Sequence, residues 1–202
     1  LVLGSAALNI RAEYRGTRGQ VYLFKPLTTV LILLIAARAI GPTSPLYKCL
    51  IVAGLGCSLA GDVFLMLPAD RFAAGLVSFL AAHLCYIAAF SSDTSLCAAI
   101  WSLAPFLVYV IVMSSILLPH LGKMKVPVLV YELVIVAMAW RALGRWTATG
   151  QVGSLLAFCG AMLFVISDSA LAINRFVGKY RGAQGLILST YFCAQWLIAM
   201  SV

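Results

Sequence analysis

Apolar residues in this chain run in blocks far longer than a soluble helix or strand needs, separated by short polar stretches. Eight segments are legible: Leu1–Ile10, Val21–Ile40, Leu46–Leu67, Phe72–Phe90, Leu96–Leu118, Val126–Leu143, Val152–Ile173 and Ala183–Val202. The last seven are near the ~20 residues that cross a bilayer as a helix. In lipid each must be helical, because every backbone N–H and C=O has to bond within its own segment. The first is too short to cross and lacks a starting methionine, so it reads as the tail of a helix truncated at its N-terminus. A signal peptide fits less well, since Arg11, Glu13, Arg15 and Arg18 follow where a small-residue cleavage site would stand. Gly41-Pro42-Thr43-Ser44-Pro45, Pro68-Ala69-Asp70, Ser91-Ser92-Asp93-Thr94-Ser95 (a turn and helix cap) and Pro119-His120-Leu121-Gly122 punctuate the pattern. The predicted fold is an all-α integral membrane protein: an eight-transmembrane-helix bundle forming a single polytopic domain over 1–202.

Composition sharpens this picture. The chain is 63% hydrophobic and 10% charged, against about 25% charged in soluble domains, and its mean hydropathy is +1.05. Those values exclude a cytosolic enzyme, a disordered chain and a disulfide-rich secreted domain. The six cysteines, Cys49, Cys57, Cys85, Cys97, Cys159 and Cys193, lie mostly inside apolar runs with no CxxC pair, and read as small bundle residues. The net charge of +8 does not imply nucleic acid, because the bases sit between apolar runs and serve as topology signals and anionic-lipid contacts. Ten of the fourteen bases fall on odd-numbered connections: Arg11, Arg15, Arg18, Lys25, Arg71, Lys123, Lys125, Arg175, Lys179 and Arg181. Arg38, Lys48, Arg141 and Arg145 fall on even-numbered ones. The odd loops are therefore expected in the cytoplasm, with both termini on the other side.

Ionisable residues inside spans are costly and are functional candidates by default. Asp62 lies roughly 9 Å along its helix from Pro68, and Asp168 roughly 10 Å from Arg175. Glu132 lies at a similar depth in the sixth segment, Lys25 opens the second, and His83 is near the middle of the fourth. All fall in the cytoplasmic half or near the midplane, with nothing comparable expected in the outer half. A polar cavity opening toward the cytoplasmic leaflet follows. A weak repeat relates Gly61-Asp62-Val63-Phe64-Leu65 to Ser167-Asp168-Ser169-Ala170-Leu171, each followed by an Arg-Phe pair, Arg71-Phe72 and Arg175-Phe176. The offset is four helices, so the halves would be parallel and the two aspartates at one depth. Plainer roles stand beside these. An intramembrane Asp can be a packing hub, Glu132 can pair with Lys25 or Arg141, Lys25 and Arg175 can snorkel, and His83 can bond a carbonyl. Tyr86, Tyr191 and Gln195, at helical spacing with these groups, read as cavity lining or interhelical glue.

Several chemistries are excluded. Gly56-Cys57-Ser58-Leu59-Ala60-Gly61 misses a GxSxG elbow by one position, and no P-loop or GxGxxG occurs. His83 and His120 are the only histidines, too few for a three-histidine zinc site. Paired carboxylates for acid/base work remain. A proton-coupled or small-molecule transporter and a lipid hydrolase acting on ester or amide bonds, metal-assisted or not, remain as rivals.

Four blocks of sequence carry a resemblance. They are Lys25-Pro26-Leu27; Cys57-Ser58-Leu59-Ala60-Gly61-Asp62-Val63-Phe64-Leu65-Met66, with Phe72, Gly75, Phe79 and His83-Leu84-Cys85-Tyr86; Val130-Tyr131 with Met138 and Trp140-Arg141; and Gly160 to Asp168, with Asn174-Arg175-Phe176 and Ser189 to Gln195. On these the chain resembles the YhhN family of membrane proteins, the lysoplasmalogenases. The resemblance implies a membrane hydrolase that cleaves the vinyl ether of a lysoplasmalogen to a fatty aldehyde and glycerophosphoethanolamine or glycerophosphocholine. It implies no known cofactor, a bacterial inner membrane or an endoplasmic reticulum location, and a catalytic pair at Asp62 and Asp168. Lys25, Ser58, His83, Tyr86, Tyr131, Asn174, Arg175, Tyr191 and Gln195 are the candidate substrate-binding residues around that pair. Glu132 departs from the family pattern, which has an apolar residue there.

The chemistry is consistent with such a site. A vinyl ether is hydrolysed by protonating its β-carbon, which gives an oxocarbenium ion that water captures. The step needs one acid that holds its proton near neutral pH and one ionised carboxylate, as paired-acid sites supply. The phosphate would sit near Lys25 and Arg175, the ether at the aspartates, and the tail in the core.

Overall fold

The computed structural model describes residues 1–41, 44–92 and 100–202. Among them are eight α-helices: α1 (Val2–Arg15), α2 (Arg18–Arg38), α3 (Pro45–Met66), α4 (Phe72–Ser91), α5 (Ala104–Leu117), α6 (Lys125–Thr149), α7 (Val152–Ala172) and α8 (Ala183–Ala199). The helix count agrees with the periodicity, and six stretches are long and apolar enough to cross a membrane. The helix α8, at 17 residues, is just shorter than those. Pro42, Thr43, the Asp93-Thr94-Ser95 cap, Cys97 and the expected start of the fifth segment at Leu96 lie outside the described residues. Leucines, valines and isoleucines face outward, including Leu107, Val108, Ile111 and Val112 along α5. Polar residues such as Thr28, Thr29, Ser58, Asp62, His83 and Gln195 are buried inside. That inversion suits a protein whose solvent is hydrocarbon.

Glycine sets the closest helix contacts. A Cβ on Gly61 would lie 2.6 Å from the Phe79 ring, and one on Gly54 2.3 Å from Tyr86, so α3 and α4 touch almost backbone to ring. On the other side of the bundle, a Cβ on Gly160 would lie 2.8 Å from the Ala194 carbonyl oxygen, which locks α7 to α8. Close approach of small residues is how helices gain dispersion contact where lipid is as apolar as they are. The helix α8 also reaches α1, α2 and α3, joining the chain's beginning to its end. By contrast α5 leans on α6 and on the turn after α7.

Two boundaries differ from expectation with consequences. The sixth helix does not end at Leu143 but runs to Thr149, where Gly150 closes it in the left-handed conformation (φ 63°). At 25 residues it is roughly 37 Å long, longer than the ~30 Å hydrocarbon core. Arg141 and Arg145 are therefore helical and buried, not loop charges. The Arg141 Nε donates to Ser91 Oγ at 2.9 Å, and the Arg145 guanidinium lies 4.2 Å above the Tyr47 ring. This corrects the expectation that the far end of the bundle holds no buried charge. The seventh segment continues past Ala172 as a π turn, Ile173–Val177, a wide turn that redirects the side chains following Asp168.

Gly160→Leu is expected to lower the thermal unfolding midpoint of the purified protein in detergent. The clash is with backbone at Ala194, which cannot rotate away, so the cost is about 1–3 kcal/mol or more. Gly56→Leu, where a Cβ meets nothing within 4 Å, is the matched control.

Candidate active site

Three elements bring charged and phenolic groups onto Asp62. Lys25 and Thr29 lie one turn apart on α2, Asp62 follows Gly61 on α3, and Tyr191 lies on α8. Thr29 Oγ1 and Tyr191 OH both donate to Asp62 Oδ2 at 2.7 Å, while Lys25 Nζ stands 3.4 Å from Oδ1. The Asp62 side chain is 1% exposed and Lys25 11%. Behind Tyr191 the network continues inward: Gln195 Nε2 donates to the Tyr191 oxygen at 3.3 Å, and Tyr86 OH donates to Gln195 Oε1 at 2.8 Å. Two hydroxyl donors and an ammonium converge on one buried carboxyl, so its oxygens are met by protein groups.

Asp168 has different company. Tyr131 OH donates to its Oδ2 through a short hydrogen bond, and His83 Nε2 lies 2.8 Å from the same phenol and 3.7 Å from Oδ2. Asp168 is 16% exposed and His83 fully buried. An imidazole, a phenol and a carboxyl thus form a line from the core of α4 across α6 to α7. The phenol is held between the imidazole and the carboxyl, so the line fixes the orientation of the Asp168 side chain.

Both carboxyls open onto one cavity of about 350 Å³, within the 300–1,000 Å³ range of small-ligand sites. The ends of α1, α3 and α7 and the starts of α2, α4 and α8 line it, so it lies at the end of the bundle carrying the odd-numbered connections. Its rim is charged. Lys25, Arg71, Arg175 and Lys179 contribute cations, and Glu13 and Asp70 contribute carboxylates. Arg175, on the π turn, donates to Asp70 Oδ2 at 2.5 Å and lies 5.1 Å from the Phe72 ring centre. That guanidinium holds the exposed Asp70 carboxyl below its ordinary range.

The sequence-predicted residues fall in three places. Lys25, Asp62, Asp168, Asn174, Arg175 and Tyr191 line the cavity. Ser58, His83, Tyr86 and Gln195 stand behind its wall, fully buried, where His83, Tyr86 and Gln195 reach the carboxyls through Tyr131 or Tyr191. Tyr131 lines a smaller apolar hollow adjoining Asp168. Lys25 does not open α2 but lies two turns inside it, and it pairs with Asp62 rather than with Glu132. Glu132 instead accepts from Ser114 at 2.9 Å, and Arg141 turns to Ser91. Thr29 was missed. Its one available signal was a hydroxyl exactly one turn past Lys25, on the same helix face.

A polytopic helical membrane protein with two buried aspartates opening onto one charged-rimmed cavity is the class that the fold and site define. Comparison with known proteins narrows it. The YhhN family model matches residues 20–202, and the chain belongs to the YhhN family. It is 31% identical over 200 residues to the uncharacterized membrane protein YhhN of Escherichia coli O6:H1, covering 98% of this chain and 94% of that one. It is 35% identical over 161 residues to the lysoplasmalogenase TMEM86B of Homo sapiens, covering 77% of this chain and 64% of that protein. To the lysoplasmalogenase TMEM86A of Bos taurus it is 33% identical over 165 residues, 75% of this chain and 64% of that one. No solved structure matches the chain.

Removing one partner from the Asp62 site is expected to be worse than removing two. Lys25→Met strands a buried carboxylate and should cost about 3–5 kcal/mol, whereas Lys25→Met with Asp62→Asn should recover most of that loss. Unfolding midpoints of the two single variants and the double variant in detergent measure the coupling.

Proposed function

We propose that this protein is a membrane hydrolase that cleaves the vinyl ether bond of a lysoplasmalogen, with Asp168 as the acid and Asp62 as the ionised partner. The observation that carries the reading is that two aspartates open onto the same cavity with unlike partners, a phenol–imidazole line for Asp168 and an ammonium with two hydroxyls for Asp62. The lysoplasmalogenase names of relatives from Homo sapiens and Sus scrofa support the same reaction and favour it over transport.

In this reading the protonated Asp168 gives its proton to the β-carbon of the vinyl ether. The double bond's electrons form the new C–H bond, and the carbon attached to oxygen becomes an oxocarbenium ion. The Asp62 carboxylate stabilises that cation across the cavity and takes a proton from the water that adds to it. The resulting hemiacetal loses its hydroxyl proton as the bond to the glycerol oxygen breaks, and that oxygen gains a proton. Fatty aldehyde and glycerophospho-headgroup leave, one water having been consumed. The proton taken up by Asp62 passes through the shared cavity to Asp168, which closes the cycle, while Tyr131, braced by His83, positions the Asp168 carboxyl. Lys25 stands beside Asp62 as its counter-ion, and Arg175 and Lys179 at the rim take the phosphate. By the positive-inside bias the cavity mouth faces the cytoplasm.

Asp168→Asn and Asp62→Asn should each lower aldehyde release from a vinyl-ether lysolipid by about 10²–10⁴-fold, the usual worth of a positioned acid or base. Unchanged release in either variant removes that residue from the chemistry. Arg175→Ala should raise KM more than it lowers kcat, as expected for a group that holds headgroup alone. An ester-linked lysolipid cleaved as fast as the vinyl ether would overturn the substrate assignment.

A further inference from the structure

The polar cavity does not end at Asp168. On the other side of that carboxyl lies a largely apolar hollow of about 60 Å³, bounded by α4, α5, α6, the end of α7 and its following turn, with Leu65 of α3. Leu65, Phe72, Phe79, Asp168 and Leu171 stand in the walls of both spaces, so the two adjoin at the carboxyl. Beyond it the walls are mostly hydrocarbon: Met113 and Leu117 from α5, Val128 and Ile135 from α6, all buried. Tyr109 and Ser169, bonded to each other at 2.7 Å, and Tyr131, bonded to Asp168, are polar lining groups with partners of their own, and a further carboxyl stands among them. Glu132 lines the hollow, is 6% exposed, and is held through Oε2 by Ser114, while among the described residues its buried Oε1 has no hydrogen-bond partner.

We infer that this hollow seats the first carbons of a substrate's single alkyl chain, and that Glu132 is the residue that limits how tightly hydrocarbon is held there. The assignment rests on the lysoplasmalogenase reading and extends it to residues that reading does not use. A lipid with a charged head and an apolar tail needs a polar space and an apolar one meeting at the bond that reacts, and Asp168 is where the two meet. The volume exceeds the ~10–15 Å³ that admits one water, yet it is far too small for a whole chain. It encloses only the carbons next to the ether, and the rest of the tail lies along the outer wall formed by α5, whose far face is lipid-like. Two chains cannot enter side by side. An unpartnered carboxyl oxygen facing hydrocarbon is unfavourable, so Glu132 weakens chain binding at this point and favours release of the apolar aldehyde.

The test is equilibrium binding of a radiolabelled long-chain saturated alkyl-ether lysophosphocholine, which has no vinyl ether to hydrolyse, to protein in nanodiscs. Val128→Phe, which fills the hollow, should weaken binding by about tenfold or more, the scale of a misfitted methylene in an apolar pocket. Glu132→Leu, close to Glu in volume, should tighten binding and strengthen inhibition by fatty aldehyde. Leu117→Ala, which enlarges the hollow, should admit a chain branched near the ether that wild type excludes. It covers the case in which Val128→Phe fails to fold. Wild-type affinity for the straight-chain probe in Val128→Phe and Glu132→Leu, together with exclusion of the branched chain by Leu117→Ala, overturns the hollow's role. If these variants shift binding as expected while wild type releases no aldehyde from a vinyl-ether lysolipid, the hollow stands and the reaction assignment falls.

Discussion

A carboxylate deep in a bundle surrounded by hydrocarbon cannot rely on water, so its charge has to be met by protein donors. Asp62 meets that requirement with Lys25 and Thr29 from α2 and Tyr191 from α8. Those partners tie the second, third and last helices together around a polar point. Once the point exists, the polar groups near it gain from clustering there and not in lipid. Gln195 and Tyr86 extend the network inward, and the charged rim extends it outward. The cavity is the space left between helices that this charge holds in register.

Asp168 has fewer partners and is 16% exposed. Its phenol partner is itself held by the His83 imidazole, whereas Asp62 meets an ammonium and two hydroxyls. Two residues of one type thereby stand in different surroundings. Position reinforces the difference. Asp62 faces the polar cavity, and Asp168 stands at the boundary between that cavity and the apolar hollow.

The scaffold around these groups depends on tight approach. Gly54 and Gly61 bring α3 against rings of α4, and Gly160 brings α7 against the backbone of α8. Asp62 and Asp168 are each carried by one of these close-packed helices. The helix α5, which has few partners, forms the outer wall of the apolar hollow. The π turn after α7 places Asn174 and Arg175 on the rim.

Long apolar blocks and the polar breaks between them determined the helical class, the count of eight helices and most of the boundaries, because lipid leaves a backbone few other ways to satisfy its hydrogen bonds. Lone charges inside those blocks likewise marked Lys25, Asp62, His83 and Asp168, since burying a charge in hydrocarbon is too costly without cause. The length of α6 was misjudged because arginines at its end resembled a loop, although Gly150 carried the stop signal. Which donor meets which acid was decided only by the tertiary structure. Lys25 reaches Asp62 and not Glu132, Tyr131 reaches Asp168, and the apolar hollow forms beside it. Helical periodicity places a side chain on a face of its own helix, but the rotation and crossing of neighbouring helices, set by glycine contacts and ring packing, determine what that face meets.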